Sequence, residues 1–184
     1  MTAKTKLLVF TGKKNIGKTT FIKQVYGNFS EMGFKINGFI ETKTDDFKNY
    51  EIENINTQER FPWATKSFMN NKKIDNNTSY DFHTDKLDSI FSSLINSLHN
   101  NEKRDIFIFD EFGKMEMRGY GLIKIFDYFS NSHKYLFIVV QESIVDEFLK
   151  KYKDKFYDSA LIKIDFNLIQ SSSDIIREIK AYLR

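Results

Sequence analysis

The sequence predicts an α/β fold in three layers, a largely parallel central sheet covered by helices, with an antiparallel extension over residues 35–65 and a single domain over residues 1–184. Three observations point there. Short, unbroken apolar runs recur along the chain, too apolar for strands with one wet face, and read as strands buried on both sides. Stripes of apolar residues three to four apart separate them, as in helices packed on a sheet. The first run leads straight through a glycine-punctuated turn into the first helix.

Leu7-Leu8-Val9-Phe10 is that first run, ending at Thr11-Gly12. Beyond Lys18, apolar side chains at Phe21, Ile22, Val25, Tyr26, Phe29 and Met32 outline an amphipathic helix that Gly33 is placed to end. Ile36, Phe39 and Ile40, then Tyr50, Ile52 and Ile55, flank polar residues 43–49 and predict two strands joined by a turn. Around Phe61 and Trp63 no period is legible, and residues 70–78 have the composition of a surface loop. Leu87, Ile90, Phe91, Leu94, Ile95 and Leu98 form a second helical stripe. Ile106-Phe107-Ile108-Phe109 is a second buried strand, ending in Asp110-Glu111. A helix over 122–129, a third buried strand over 136–140, a helical face at Ile144, Val145, Phe148, Leu149 and Tyr152, and a strand over 161–164 follow. Residues 171–174 offer N-caps for a closing helix through Ile175, Ile176, Ile179, Tyr182 and Leu183.

Composition narrows the function. With 41% hydrophobic residues, 19 Phe and 9 Tyr, there is ample surface to build a core. The 28 basic and 25 acidic residues nearly balance, so no nucleic-acid or membrane partner is expected. Lys72–Lys73 and Lys150–Lys151 read as solvated faces. The absence of cysteine excludes disulfides, zinc thiolates and thiol chemistry. His83, His99 and His133 lack metal-ligand spacing and read as ordinary surface or helix-end histidines. The four-residue apolar run near the N-terminus is too short for a signal peptide or a span, so a cytoplasmic location is expected.

Gly12-Lys13-Lys14-Asn15-Ile16-Gly17-Lys18-Thr19, followed by Thr20, fits G-x-x-x-x-G-K-[ST] at every fixed position, between a buried strand and a helix. Such a loop turns successive backbone N–H groups inward around an anion. Its glycines permit close approach, and the helix behind it presents a positive dipole end. Lys18 is then expected to reach β- and γ-phosphates, and the Thr19 hydroxyl to ligate Mg²⁺. The metal needs a second anchor, and Asp110 at the end of a buried strand has the right form. In a parallel sheet the carboxyl ends of strands share one edge, which brings Asp110 toward the loop. Asp110 is the expected metal residue and Glu111 the expected group that orients or deprotonates water. Alone, Asp110-Glu111 would read equally as the start of a surface loop; the phosphate loop upstream decides between the two.

Asp110-Glu111-Phe112-Gly113-Lys114-Met115-Glu116-Met117 resembles the D-E-I-G-K-M-E-L segment of the thermophilic-type nucleoside-triphosphatases, a P-loop NTPase family. Gly38-Phe39 and Tyr80 resemble the family's G-F after the first helix and its tyrosine before the next. The resemblance implies the three-layer P-loop NTPase fold and slow, Mg²⁺-dependent hydrolysis of nucleoside 5′-triphosphates with broad base tolerance. It further implies that Lys114 and Glu116 lie near the γ-phosphate, in roles it leaves open. Three features depart from the pattern: Glu41-Thr42 transposes the family's threonine and acid, Leu168 stands where an arginine often follows Asn167, and residues 66–79 lack a glycine-lysine.

The nucleotide partner is expected to be ATP or GTP, the base unread by this motif. Of the arginines, Arg60, Arg104, Arg118, Arg177 and Arg184, Arg118 is nearest the acidic motif, although a solvated arginine is the commoner case. Trp63 reads as a core or loop-anchoring residue before a base-stacking one. Two other functions share the loop. A nucleotide or small-molecule kinase would need an arginine-bearing lid, and residues 141–160 contain no arginine. A nucleotide-controlled switch would use the polar stretch 43–78 as its moving part.

Overall fold

A computed structural model describes residues 5–44, 49–66, 80–97, 106–130, 132–165 and 172–183. Expectations about residues 70–78, Lys72, Lys73, Leu98, His99, Arg104, Asn167, Leu168, Ser171 and Arg184 lie outside them.

The chain runs β1 (Lys6–Thr11), α1 (Lys18–Glu31), β2 (Ile36–Lys43), β3 (Tyr50–Asn54), β4 (Arg60–Lys66), β5 (Tyr80–Phe82), α2 (Leu87–Asn96), β6 (Ile106–Phe112), α3 (Lys114–Met117), α4 (Ile123–Phe129), β7 (Tyr135–Val140), α5 (Val145–Tyr152), β8 (Asp158–Lys163) and α6 (Ser172–Leu183). The strands form one sheet in the order β5-β4-β3-β2-β6-β7-β1-β8. β2, β6, β7, β1 and β8 are mutually parallel, and β3, β4 and β5 continue the sheet antiparallel. The expected extension over 35–65 is there, with β5 added beyond it.

Alternation along the buried strands makes the three layers. Leu7 and Val9, Phe107 and Phe109, and Leu136 and Ile138 face one core, shared with α2, α4 and α5. Leu8 and Phe10, Ile106 and Ile108, and Phe137 and Val139 face the other, under α1 and α6. Phenylalanines fill both layers. Phe107 stacks on Phe129 at 4.2 Å, Phe112 meets Phe148 edge-on at 4.9 Å, and Phe137 contacts Phe10 and Phe29 across the sheet's other face at 5.8 Å each.

Several expectations shift. Met32 does not join the apolar face of α1; it sits at the C-cap, 42% exposed. Gly33 at φ 85 ends the helix as expected, its N–H bonding Ser30 O and the Phe34 N–H bonding Phe29 O, with the two phenylalanine rings in contact. The segment around Phe61 and Trp63 is β4, where cross-strand pairing overrides a weak local pattern. β6 runs one residue past its expected end at Asp110-Glu111, to Phe112. β8 starts three residues earlier than its apolar run, and Leu161 is 47% exposed because β8 is an edge strand. Trp63 is buried against Phe82, and His133 is buried as well, unlike the surface or helix-end place expected of it. No helix among the described residues is long and apolar enough to cross a membrane.

Candidate active site

β1 delivers the glycine loop to the carboxyl edge of the sheet. Thr11, the last strand residue, is tied to both neighbours: its hydroxyl donates to Val140 O at 2.9 Å, and its carbonyl accepts the Ile164 N–H at 2.6 Å. The chain just past β8 runs so close that a Cβ on Gly12 would lie 2.6 Å from Ile164 O. Asn15 (φ 63) and Gly17 (φ 100) take left-handed conformations that bend the loop back toward α1. Gly17 caps α1 with no side-chain hydrogen bond, and the first turn holds no acid, so the helix's leading N–H groups are left for an external anion. Lys13, Lys14, Asn15 and Thr20 are exposed around this opening, with Ile16 and Thr19 half-buried.

β6 brings the acidic pair to the same edge. Its register with β7, and that of β7 with β1, sets Phe109 and Phe10 one residue apart in height, with only the end of β7 between them. The two motifs touch: Lys18 Nζ lies 3.5 Å from Glu111 Oε2 and 3.4 Å from Lys13 O. Asp110 is fully buried, and neither carboxylate oxygen has a hydrogen-bond partner among the described residues. Burial, then the Glu111 charge, push its carboxyl up to about 7; the nearby Thr19 hydroxyl, Lys18 and Glu41 main chain pull the other way. Burial also raises Glu111, against the opposing pull of Lys18, Gln141 and Lys14.

Two further acids complete this edge. Glu41, at the end of β2, is raised well above the carboxylate range by burial and then by Asp110, Glu111 and Glu116. Glu116 on α3 is buried, and its two oxygens accept the Gly113 N–H at 2.9 Å and the Leu122 N–H at 3.1 Å. That double acceptance lashes the turn after β6 into place, a concrete role for the motif's third acid. Burial raises Glu116 too, while those N–H groups lower it. Lys114 and Arg118 are exposed at the two ends of α3.

Three carboxyls, Glu41, Asp110 and Glu111, therefore feel the charge of the buried Lys18 ammonium while repelling one another, an arrangement that a bound cation would relieve. No three acidic or histidine side chains among the described residues are grouped to hold an ion by themselves. Mg²⁺, which keeps several waters and takes phosphate oxygens, needs only one or two protein ligands. Asp110, with its idle buried oxygens and Thr19 beside it, fits that demand.

Gln141 escaped the motif reading because no fixed spacing marks it, and Glu41, which stands where the resembled family has a threonine and an acid, carries no role assigned by that resemblance. Each is a polar residue at the end of an apolar strand, the signal that identified Asp110, and only the strand order shows which ends share this edge.

The NTPase family model matches residues 7–170. Two solved structures are similar in fold. THEP1 from the hyperthermophile Aquifex aeolicus superposes with a TM-score of 0.66 at 18% identity, over 97% of this chain and 99% of that one. A human cancer-related nucleoside triphosphatase superposes with a TM-score of 0.65 at 15% identity, over 94% of this chain and 98% of that one. A sequence search of curated proteins finds no significant match. With the family match spanning most of a chain that folds as a P-loop α/β protein, the chain belongs to the NTPase family.

Proposed function

We propose that the protein hydrolyses nucleoside 5′-triphosphates, ATP or GTP among them, to the diphosphate and inorganic phosphate in a Mg²⁺-dependent reaction. The observation that supports this most is the 3.5 Å contact between Lys18 of the glycine loop and Glu111 of the acidic pair. It sets a phosphate-binding cation and a candidate base within one phosphate's breadth of each other.

In this reading the loop amides from Gly12 to Thr20 and the start of α1 cradle the phosphates, and Lys18 leaves Glu111 for the β- and γ-phosphate oxygens. Asp110 and the Thr19 hydroxyl hold Mg²⁺, which when bound neutralises charge on the phosphate oxygens. Glu111, freed from Lys18, orients a water and takes its proton. The water oxygen bonds to the γ-phosphorus. The bond from that phosphorus to the β–γ bridging oxygen breaks, its electron pair leaving with the diphosphate. The proton then passes from Glu111 to phosphate or solvent. The loop reads phosphates and leaves the base unspecified, which fits a broad substrate range.

Phosphate release from ATP, GTP, CTP and UTP, measured with Mg²⁺ and with EDTA, tests the proposal. Release that persists in EDTA contradicts the assigned metal dependence. Transfer of the γ-phosphate to a nucleoside or nucleotide acceptor, with no free phosphate, replaces hydrolysis by a kinase reaction.

A further inference from the structure

We propose that Lys14 is a catalytic residue of hydrolysis, its ammonium supplying from the glycine loop itself the positive charge that meets the γ-phosphoryl group as it transfers. The inference deepens the hydrolase reading and rests on it.

The loop carries three lysines, Lys13, Lys14 and Lys18. Lys18 is engaged, its Nζ donating to Lys13 O at 3.4 Å and lying 3.5 Å from Glu111 Oε2. Lys13 and Lys14 are exposed beside it, and no carboxylate among the described residues forms an ion pair with either. The loop therefore brings unneutralised positive charge to an opening already shaped for an anion.

The backbone sets where Lys14 stands. Lys13 O accepts the Ile16 N–H at 3.3 Å, closing a four-residue turn, and Asn15 at its third position has φ 63, the pattern of a type II turn. Lys14 is the corner of that turn. The same Lys13 carbonyl holds Lys18, so a short chain of contacts links the corner to the acidic pair: Lys14 adjoins Lys13, Lys13 O meets Lys18, and Lys18 meets Glu111. A four-carbon stem gives Lys14 the reach to cover the γ-phosphoryl position between Lys18 and Glu111. Glu111 feels the Lys14 charge as well as that of Lys18.

Hydrolysis calls for such a cation. As the water oxygen bonds to the γ-phosphorus and the bridging bond breaks, negative charge spreads over the γ oxygens and the departing bridging oxygen. Lys14 donates hydrogen bonds to those oxygens and keeps its protons throughout. Other NTPases often take this charge from an arginine. Here Arg60 is paired with Glu53 at 3.0 Å and Arg177 with Asp174 at 3.7 Å, while Arg118 caps the far end of α3. A cation carried by the loop also removes the need for an arginine from a partner protein. If Lys14 were only a solvated surface charge, it would attract bound triphosphate as strongly as the transition state and would leave kcat unchanged.

The test compares wild type with Lys14→Gln, which removes the charge, and Lys14→Arg, which keeps it. Phosphate release from whichever of ATP and GTP wild type turns over faster gives kcat. Equilibrium titrations with Mg²⁺ use either a non-hydrolysable triphosphate or the diphosphate with aluminium fluoride, a mimic of the phosphoryl group in transit. Lys14→Gln is expected to lower kcat about 10²- to 10³-fold and to weaken the aluminium fluoride complex by a similar factor. Its affinity for the triphosphate should fall less than about fivefold. Lys14→Arg is expected to regain about tenfold or more of the lost kcat. Wild-type kcat in Lys14→Gln overturns the proposal. So does a triphosphate affinity that falls as far as kcat, or Lys14→Arg no more active than Lys14→Gln. Wild-type protein that binds the triphosphate and releases no phosphate instead refutes the hydrolase reading, and this inference with it.

Discussion

Glu111→Gln should tighten triphosphate binding while nearly abolishing turnover. Lys18 Nζ and Glu111 Oε2 lie 3.5 Å apart, with the side chains 9% and 23% exposed. At that distance and an effective dielectric constant of about 20, Coulomb's law gives about 5 kcal/mol of gross attraction. Desolvation of both groups and residual water at Glu111 reduce the net strength of such a pair to about 1–2 kcal/mol. An incoming triphosphate must break or share the pair to engage Lys18, and it also meets the Glu111 charge. Replacing that carboxylate removes both obstacles. Affinity should therefore rise about 5- to 30-fold, and kcat should fall about 10²- to 10⁴-fold with the base gone. Titration calorimetry with a non-hydrolysable triphosphate and Mg²⁺ measures the first, and single-turnover phosphate release the second. Affinity that stays the same or weakens in Glu111→Gln would refute the idea that the two groups compete for Lys18.

Asp110 sits near 7 against 3.8 for the ordinary group, so its stabilising contribution is complete below about pH 4 and is lost as pH rises through about 7. Metal-free Asp110→Asn should then gain stability over wild type between pH 5 and pH 8, by at most about 3 kcal/mol. Parallel stability curves in urea at the two pH values would contradict this. Gly38 has φ +131, and a Cβ there would overlap the Ile108 main chain, so Gly38→Ala should break the β2–β6 pairing. The cost should be about 3 kcal/mol or more, seen as a lowered urea midpoint or loss of folded protein. Trp63, buried beside Phe82, should cost about 3–5 kcal/mol on truncation to alanine. Its removal should leave the ATP-to-GTP affinity ratio unchanged, and a shifted ratio would return Trp63 to the base site.

The sequence by itself determined the α/β class, the buried parallel strands, the glycine loop and the acidic pair. Each is a local signal: an apolar run, a helical stripe, or a fixed spacing imposed by an anion on the backbone around it. It also showed how α1 ends, since Gly33 terminates a helix through its own backbone freedom. β4 fell inside the expected extension without a period of its own, and β5 was invisible, because an edge region of an antiparallel sheet draws its stability from cross-strand partners, here Tyr50 with Ala64 and Ala64 with Phe82. Tertiary structure alone decided that β7 separates the two motifs, and hence that Gln141, just beyond β7, stands at the same sheet edge as Glu111 and that Glu41 joins the acids. Strand order arises from how helices and connections pack in three dimensions, and a linear chain carries no local mark of which strand ends will share an edge.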